Sequence, residues 1–480
     1  MSIQIFLQGS ITGACEFLAA PMEGDRSGLE RLFAGRSAWV SLLSEVVPRA
    51  LLNELGLAKI LLGSSGGGHF FLVLPREWMP KAEEFLAVCN SDIARLSGGE
   101  LKLVWGSTEN LGDWAVVRRR LRESLATAKG TPLRPTSALP GAMRTESPDA
   151  YFQELGSGLL DQQTIGWSPD APGEIQAGKG KYTWTLGSGP DQILLARHTA
   201  LSDDGKAAVQ AVDLAGRADG CKAWGVLRGD VDSLDVRLRR VQSIEEHVQL
   251  SVLYKQFFAG ELEGLCSLPE YWRKVTILYS GGDDFAVYGA WDALIQLGRE
   301  LHRLFRRFSE ISLQEFPGAE GKTITMSLAL AGDGAELPAV FAEAGEMMER
   351  AKCTSRDCFA LLGRVLEWRQ VNGAAELKDT MVRVMREFGG NTQFLSELAA
   401  FYREEVFSPF AVSRKREGAL EKPWRLHRRV LRVLPAARDR ELERLRSSLI
   451  VELTGKNSTE VKLRPAGRVA LEWARLLSEA

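Results

Sequence analysis

Histidine, closely spaced cysteine pairs and long apolar runs are all scarce in this 480-residue sequence. Only five histidines are present and none of the six cysteines form a Cys-x-x-Cys pair, so we expect reduced thiols and no zinc ribbon. No apolar run reaches the roughly 18 residues of a transmembrane helix. The N-terminus lacks the basic start and long apolar stretch of a signal peptide, and we expect a cytoplasmic protein with no membrane contact.

An excess of one charge is also missing, because 60 basic and 62 acidic residues leave a net charge of −2. No global positive field therefore points to nucleic acid, and any such surface must be local. Basic residues do cluster between 414 and 432. That segment suits contacts to RNA or to other proteins, but a solvated helical face explains it equally well.

Strand and helix patterns alternate in two parts of the chain, 1–132 and 216–365. The first part includes a hairpin with arms at 58–62 and 70–74, and the second includes one long helix over 234–258. Between the two parts, 133–215 is rich in proline, glycine and serine and indicates an irregular linker or insertion. Strand patterns stop after about 365, so 366–480 is predicted to be helical, with one of its helices at 392–407.

The two alternating parts look like copies of one unit. Segment 5–10 aligns with 225–230, and the glycine turn at 65–70 aligns with the turn at 280–285. The helix that ends at Lys129 aligns with the helix that ends at Lys352. The order of elements in each copy is βαββαβ, which is typical of a ferredoxin-like fold. The predicted fold class is therefore α+β, with two ferredoxin-like units, a linker and a C-terminal helical domain.

The copies differ where chemistry would occur. The second copy carries Asp230, Asp283 and Asp284, whereas the matching positions of the first hold Ser10, Gly68 and His69. A strand that ends in an aspartate beside a hairpin with two more collects the oxygen ligands that Mg²⁺ or Mn²⁺ requires. Two such ions about 4 Å apart can activate a hydroxyl and stabilise a leaving pyrophosphate. Asp232 fits either the metal shell or a cap on the next helix.

Five further residues are candidates for contacts to a nucleotide. Gly281 and Gly282 permit a tight turn that a phosphate can approach closely. Lys352 could supply positive charge to a triphosphate, although a lysine at a helix end is often simply solvated. Ser65 and Gly66, in the acid-free turn, could line a second nucleotide pocket.

The second copy resembles the large polymerase-like subunit of type III CRISPR effector complexes. The resemblance rests on Gly-Val-Leu-Arg-Gly-Asp-Val-Asp-Ser-Leu at 225–234, on Ser-Gly-Gly-Asp-Asp-Phe at 280–285, and on the Ala-Lys helix end at 351–352. It extends in layout over nearly the whole chain. It implies a degenerate first palm at 1–132, a linker domain at 133–215, an active second palm at 216–365 and a C-terminal helical domain at 366–480.

The resemblance also implies a function and its residues. The expected function is synthesis of cyclic oligoadenylate messengers from ATP when the complex binds target RNA, with sister subunits, guide RNA and target RNA as partners. The implied catalytic acids are Asp230, Asp283 and Asp284. The implied metal-holding set is Asp230, Val231, Asp283 and Asp284. The implied nucleotide contacts are Ser280, Gly281, Gly282 and Lys352.

Three departures from the family pattern bear on these expectations. Many members begin with a His-Asp nuclease domain, whereas this chain begins with the first palm and contains no His-Asp dipeptide. We therefore predict no DNA cleavage by this chain. The linker lacks the cysteines that hold zinc in many relatives, and Asp235 stands where relatives often carry glycine.

Two other functions remain possible at this point. One is a dinucleotide cyclase of the Gly-Gly-Asp/Glu-Glu-Phe class, which has one palm per chain and acts by pairing two chains. Two palms in one chain argue against it, since the half-sites can face each other internally. The other is a scaffold that only assembles a guide-RNA complex, against which the intact acids argue.

Overall fold

The computed structural model describes residues 4–20, 22, 26–130, 148–189, 191–205, 207–332, 334–387, 394–396, 398–399, 428, 440–454 and 464–479. Within these ranges no helix is long and apolar enough to cross a membrane. All six cysteines are free thiols, as the sequence predicts. The predicted α+β class is confirmed. Two parts of the chain each combine a β-sheet with helices, and further helices follow near the C-terminus.

The first palm is a four-stranded antiparallel sheet covered by helices. Its elements are β1 (Gln4–Thr12), α1 (Ala14–Ala19), α2 (Arg26–Glu54), β2 (Leu62–Gly66), β3 (His69–Pro75), α3 (Met79–Leu96), β4 (Lys102–Glu109) and α4 (Trp114–Gly130). The sheet order is β2-β3-β1-β4, which is the arrangement expected of a βαββαβ unit.

The linker region is more regular than its composition predicts. It contains α5 (Pro148–Asp161), β5 (Thr164–Trp167), β6 (Gln176–Ala177), β7 (Tyr182–Thr185) and α6 (Ala211–Gly216), and its strands form a small sheet. Helix α5 packs so closely on α2 that a Cβ on Gly35 would lie only 1.7 Å from the Phe152 carbonyl oxygen. The linker thereby shares the buried core of the first palm.

The second palm repeats the first and adds two strands. Its elements are β8 (Trp224–Val231), α7 (Leu234–Arg240), α8 (Ile244–Gln256), a π-helical turn (Phe257–Glu261), α9 (Leu262–Cys266), β9 (Val275–Ser280), β10 (Asp284–Ala290), α10 (Trp291–Ser312), β11 (Ile324–Leu330), α11 (Leu337–Thr354), β12 (Cys358–Leu361) and β13 (Arg364–Glu367). The sheet order is β13-β12-β11-β8-β10-β9. Its last four strands reproduce the order of the first sheet.

The repeat extends to the packing of side chains. Gly9 pairs with Phe70 across β1 and β3, and a Cβ on Gly9 would lie 2.1 Å from that phenylalanine ring. Gly229 pairs with Phe285 across β8 and β10, and a Cβ there would lie 2.3 Å from that ring. Each glycine makes room for an aromatic ring on the neighbouring strand. The duplication inferred from sequence is therefore present in register as well as in strand order.

The longest helix of the second palm shows a clear apolar spacing. In α10 the buried residues recur every three or four positions, at Trp291, Leu294, Gly298, Leu301 and Phe305, which places one face on the sheet.

The long helix predicted over 234–258 is wrong, because it is broken into α7 and α8. Ser243 caps α8 by accepting the N–H of Glu246 (3.2 Å), and the Glu246 carboxylate accepts the N–H of Gln242 (2.7 Å). This arrangement is close to a capping box.

Helices also dominate the described part of the C-terminal region, as predicted. These are α12 (Trp368–Glu387), α13 (Arg440–Thr454) and α14 (Pro465–Ser478). Their apolar faces join the core of the second palm, where Trp473 and Met381 are fully buried. The helix predicted at 392–407 and the basic cluster at 414–432 lie mostly outside the described residues. The domain boundaries at 132, 215 and 365 stay predictions.

Two strand predictions need correction. The first arm of the early hairpin is not at 58–62, because Lys59–Leu61 forms a short 3-10 helix and β2 runs through the glycines. Strands β12 and β13 were not predicted at all. Both are only four residues long, too short to show a clear alternation.

Candidate active site at the junction of the palms

Sheet register brings the three aspartates together at one end of the second palm. Asp230 near the end of β8 is directly opposite Asp284 at the start of β10. The Val231 N–H donates to the main-chain oxygen of Asp283 (3.0 Å), so the strand end and the turn are tied together. The Gly281 N–H donates to the main-chain oxygen of Asp284 (2.7 Å) and closes the turn.

The three carboxyl groups repel one another in a poorly solvated position. Burial raises the pKa of Asp283 to about 8, and the charges of Asp284 and Asp230 add to the effect. Burial raises the pKa of Asp230 to about 6, against the opposing effect of Lys352. Burial also raises the pKa of Asp284, although the Tyr279 hydroxyl opposes it. Clustered acids with raised pKa values are typical of functional sites.

Lys352 is the cation that faces these acids. Its Nζ lies 3.2 Å from Asp230 Oδ1 and 3.1 Å from Glu349 Oε1. The pKa of Lys352 is raised by Asp230 and Glu349 despite the opposing effect of burial, so the side chain is charged at neutral pH. The structure therefore places Lys352 beside the acids, while its contact to a triphosphate stays a prediction.

The acids do not form a preassembled metal cage. In the described ranges, no three His, Cys, Asp or Glu side chains are grouped so that they could hold an ion by themselves. Mg²⁺ does not need such a cage, since it commonly binds one or two carboxylates and completes its shell with water and substrate phosphates. Asp230, Asp283 and Asp284 fit that donor set, and a bound cation would favour the charged forms of these carboxyl groups. Val231 is buried, so only its main-chain oxygen could take part.

The glycine turns of the two palms touch each other. Gly67 lies between β2 and β3 with φ +59°, and a Cβ there would be 2.3 Å from the Gly282 nitrogen. A Cβ on Gly282 would in turn lie 3.7 Å from the Gly67 Cα. The acid-free turn of the first palm therefore lies directly against the acidic turn of the second, as expected if the half-sites face each other within one chain.

Ser65 and Gly66 belong to a charged cluster beside this contact. The Ser65 hydroxyl donates to Glu45 Oε2 (2.7 Å) and accepts from the guanidinium of Arg49 (3.0 Å). A Cβ on Gly66 would lie 2.8 Å from Glu45 Oε1. Lys255 from α8 pairs with the same carboxylate at 2.5 Å. The Ser65 hydroxyl thus serves the junction between the palms, so its predicted nucleotide contact needs a rearrangement.

Two other predicted residues are turned away from the acids. The Ser280 side chain is buried and its hydroxyl donates to the Phe258 carbonyl oxygen (2.6 Å), in the π-helical turn. Asp232 is also buried, and its carboxylate accepts from the Thr323 and Thr325 hydroxyls at 2.8 and 2.7 Å. It accepts from the Asp357 N–H as well (3.0 Å). Asp232 therefore ties β8 to its neighbours, and it is neither a helix cap nor free for a metal.

The first palm keeps the geometry of the site without its acids. Ser10 is paired with His69 in the register that pairs Asp230 with Asp284. Burial, together with the charge of Lys129, lowers the pKa of His69 to about 4, just as the charge of Lys352 lowers the pKa of Asp230 against the effect of burial. The correspondence of Ser10, His69 and Lys129 with the site residues, inferred from sequence, is thus reproduced in space.

Sequence reasoning missed the residues that surround Asp284. Its Oδ2 accepts the Tyr279 hydroxyl (2.9 Å), and that hydroxyl accepts from Arg228 Nη2 (3.3 Å). Tyr279 immediately precedes the motif at 280–285 and Arg228 lies within the motif at 225–234, and this closeness in sequence to the acids is the only hint that the sequence offers. Glu45 and Lys255 give no local hint, because they lie 210 residues apart.

Two facing ferredoxin-like palms with acids in one glycine turn define the chain as a protein of the palm class, similar to nucleotidyl cyclases. Comparison with known families makes this specific. Residues 223–360 match the family described as Cas10/Cmr2, second palm domain. This stretch contains Asp230, Asp232, Asp283, Asp284 and Lys352, and the predicted resemblance to the large subunit of type III CRISPR complexes is confirmed.

Similar proteins agree with that assignment. A CRISPR system single-strand-specific deoxyribonuclease Cas10/Csm1 (subtype III-A) from Mycobacterium tuberculosis is 27% identical over 420 residues, covering 68% of this chain and 50% of its own length. A protein of the same name from Thermococcus onnurineus is 22% identical over 387 residues, covering 64% and 49%. The chain therefore spans about half the length of these curated relatives.

Solved structures share this fold. A chain of the Csm1–Csm4 cassette in complex with cA3 superposes with a TM-score of 0.72 at 18% identity, covering 99% of this chain and 70% of that one. The cassette in complex with one ATP gives the same score at 18% identity and covers 100% and 70%. At this identity the match establishes the arrangement of palms and helices.

Proposed function

We propose that this chain synthesises cyclic oligoadenylates from ATP as the large subunit of a type III-A CRISPR effector complex, and that target RNA triggers the synthesis. The observation that carries the proposal is the contact between the Gly67 turn and the Gly282 turn. It places the three acids of the second palm opposite an acid-free copy of the same site. Relatives of this fold are known in complex with cA3, cA4 and ATP.

The acids, Lys352 and the turn of the first palm would each have a separate role in the reaction. Asp230, Asp283 and Asp284 would hold Mg²⁺ or Mn²⁺, which when bound activates the attacking ribose hydroxyl and stabilises the leaving pyrophosphate. Lys352 supplies a fixed positive charge beside the acids, where the triphosphate of one ATP would lie. The turn of the first palm would position the second nucleotide. Holding two ATP molecules at one junction supplies much of the rate enhancement, because their encounter becomes intramolecular.

The single-palm dinucleotide cyclase is disfavoured by the same contact. Such an enzyme needs a second chain to complete its site, whereas here the facing turn belongs to the same chain. A pure scaffold is disfavoured by the acids, since three clustered carboxylates with raised pKa values destabilise the fold and have no structural partner apart from Lys352 and Tyr279 in the contacts described above.

The proposal is tested by the product. The protein assembled with its complex and target RNA, supplied with ATP and Mg²⁺, should release pyrophosphate and ring oligoadenylates identified by mass spectrometry. The double variant Asp283→Ala/Asp284→Ala should assemble normally and make no product. Undiminished synthesis by that variant contradicts the assignment, and absence of product from the wild-type complex contradicts the function.

A further inference from the structure

A chain of contacts leads from the first palm to the carboxylate of Asp284. Its last link is the Tyr279 hydroxyl, which donates to Asp284 Oδ2 at 2.9 Å. On the other side, a Cβ added to Gly281 would lie 2.0 Å from Asp284 Oδ1. The carboxylate is therefore confined between a phenol and a bare glycine, and its orientation depends on both. A hydrogen bond to a charged acceptor is stronger and more directional than a neutral one.

Arg228 orients Tyr279 in turn. Its Nη2 donates to the Tyr279 hydroxyl (3.3 Å), so the phenol proton is left to face Asp284. The guanidinium is buried, lies 4.2 Å from the centre of the Phe341 ring, and would be 2.4 Å from a Cβ on Gly345. Helix α11 thus offers a ring and a gap of the right size. An arginine buried in this way is held in one position.

The support behind Arg228 comes from the first palm. Phe341 packs edge-on against Phe33 of α2, with ring centres 5.2 Å apart, and against Tyr279 at 6.1 Å. From the next turn of α2, the Ser37 hydroxyl donates to the Leu278 carbonyl oxygen (2.7 Å), one residue before Tyr279. Helix α2 therefore contacts both the strand that contains Tyr279 and the Phe341 ring on which the Arg228 guanidinium packs.

We propose that Tyr279 and Arg228 are positioning residues that hold the Asp284 carboxylate in its ligand orientation, with α2 of the first palm setting their geometry through Phe33 and Phe341. The inference rests on the proposed function, because it assumes that Asp284 takes part in holding a cation. It gives the degenerate palm a second role. Besides facing the acids, it determines how one of them is aimed.

The decisive variant is Tyr279→Phe, which keeps the ring packing and removes only the hydroxyl. Mn²⁺ binding to the full chain, measured by electron paramagnetic resonance with a non-hydrolysable ATP analogue, should weaken by roughly 10-fold or more, as for other partners of metal ligands. In the assembled complex, kcat should fall while KM for ATP stays constant. Arg228→Gln should show the same pattern to a smaller extent.

The matched control is Tyr151→Phe. Tyr151 is a buried tyrosine of the linker. Its hydroxyl accepts a hydrogen bond from the Ile175 N–H (2.8 Å) and donates one to the Ile175 carbonyl oxygen (3.1 Å), so the substitution also removes a buried hydroxyl. It should lower thermal stability without changing Mn²⁺ affinity.

A double variant tests the role of α2. Phe33→Leu should weaken Mn²⁺ binding in the wild-type background but should not weaken it further when combined with Tyr279→Phe, because both substitutions act on the same series of contacts.

The outcomes separate this inference from the proposed function. Wild-type Mn²⁺ affinity in both Tyr279→Phe and Arg228→Gln overturns the positioning role, whatever the chain synthesises. Equal losses in Tyr279→Phe and Tyr151→Phe also overturn it, since they indicate general destabilisation. A wild-type chain that binds no Mn²⁺ removes the assumption and the inference together. Selective loss of Mn²⁺ affinity supports the inference even if no oligoadenylate is detected.

Discussion

The two palms have the same strand order, the same glycine–phenylalanine packing and the same glycine turn, yet only the second carries aspartates in that turn and at the strand end opposite it. In the second palm the turn holds Asp283 and Asp284 opposite Asp230, and in the first palm the pair in that register is Ser10 and His69. Conservation of the frame without the acids indicates that the frame has a use of its own. That use is to present a complementary surface to the acidic turn.

The largest expected effect is a difference in oligoadenylate synthesis between variants at matched positions of the two palms. Asp230→Asn removes a carboxylate charge at nearly constant size and should lower oligoadenylate synthesis by at least about 100-fold, the scale of losing one electrostatic group from a reaction centre. Ser10→Ala, at the corresponding position of the first palm, should leave synthesis intact. Product can be followed by mass spectrometry or by pyrophosphate release. Equal losses in the two variants would mean that the palms share the chemistry.

A second effect concerns the charged cluster that joins the palms. Lys255→Met leaves Glu45 buried with only Arg49 and Ser65 as partners, and should lower the unfolding free energy by about 1.5–3 kcal/mol, the scale of one hydrogen bond to a charged group. As a control, Lys59→Met breaks an exposed pair with Asp191 and should cost about 1 kcal/mol or less. Chemical denaturation measures both. A loss no larger than the control's would show that the cluster does not hold the palms together.

The cluster also predicts a pH dependence. Burial alone would raise the pKa of Glu45, but Lys255 and Arg49 more than offset it, and the pKa is lowered from its ordinary value of 4.5. A carboxyl group with a depressed folded pKa stabilises the protein above its ordinary pKa, and this stability is lost as the pH falls through the depressed value. The deficit of Lys255→Met relative to wild type should therefore be largest near neutral pH and narrow below pH 4.5.

A third effect tests the contact between the turns. Gly67→Ala adds a Cβ that would lie 2.3 Å from the Gly282 nitrogen, whereas Gly68→Ala adds one whose nearest neighbour is the Ile11 oxygen at 3.8 Å. Both glycines have positive φ, so both substitutions strain the backbone by about 1–3 kcal/mol. Only Gly67→Ala should separate the turns, and we expect it to lower synthesis about 10-fold more than Gly68→Ala. Equal activities would show that the contact is dispensable.

Much of the second palm could be predicted because its signals are local. Strands β8, β9, β10 and β11 are apolar runs that alternate with helices, as predicted for 216–365. The break between α7 and α8 was also readable, since Ser243 and Glu246 have capping-box spacing. Apolar periodicity continues across the break, which is why the sequence also fits one continuous helix over 234–258.

The site was predictable only as far as the acids and Lys352. The orientations of the Ser280 and Ser65 hydroxyls depend on Phe258 and Glu45, which come from other elements. Asp232 resembles a metal ligand in sequence because it is two residues from Asp230. Its three donors come from Thr323, Thr325 and Asp357, which are 91 or more residues away. Such partners are fixed by topology and leave no local pattern.

The last prediction is the absence of an effect: we expect this chain not to cleave single-stranded DNA. The relatives from Mycobacterium tuberculosis and Thermococcus onnurineus are named single-strand-specific deoxyribonucleases, but this chain spans about half of their length and contains no His-Asp dipeptide. The first palm has Ser10 and His69 where the second has acids, so it offers no second carboxylate set at that position. The purified chain should leave single-stranded DNA uncut with Mg²⁺, with Mn²⁺ and with chelator, as read on a denaturing gel. Cleavage that co-purifies through several columns and persists in Asp283→Ala/Asp284→Ala would place a hydrolytic centre outside the acidic turn, and would show that the difference between the palms does not account for all of the chemistry of this chain.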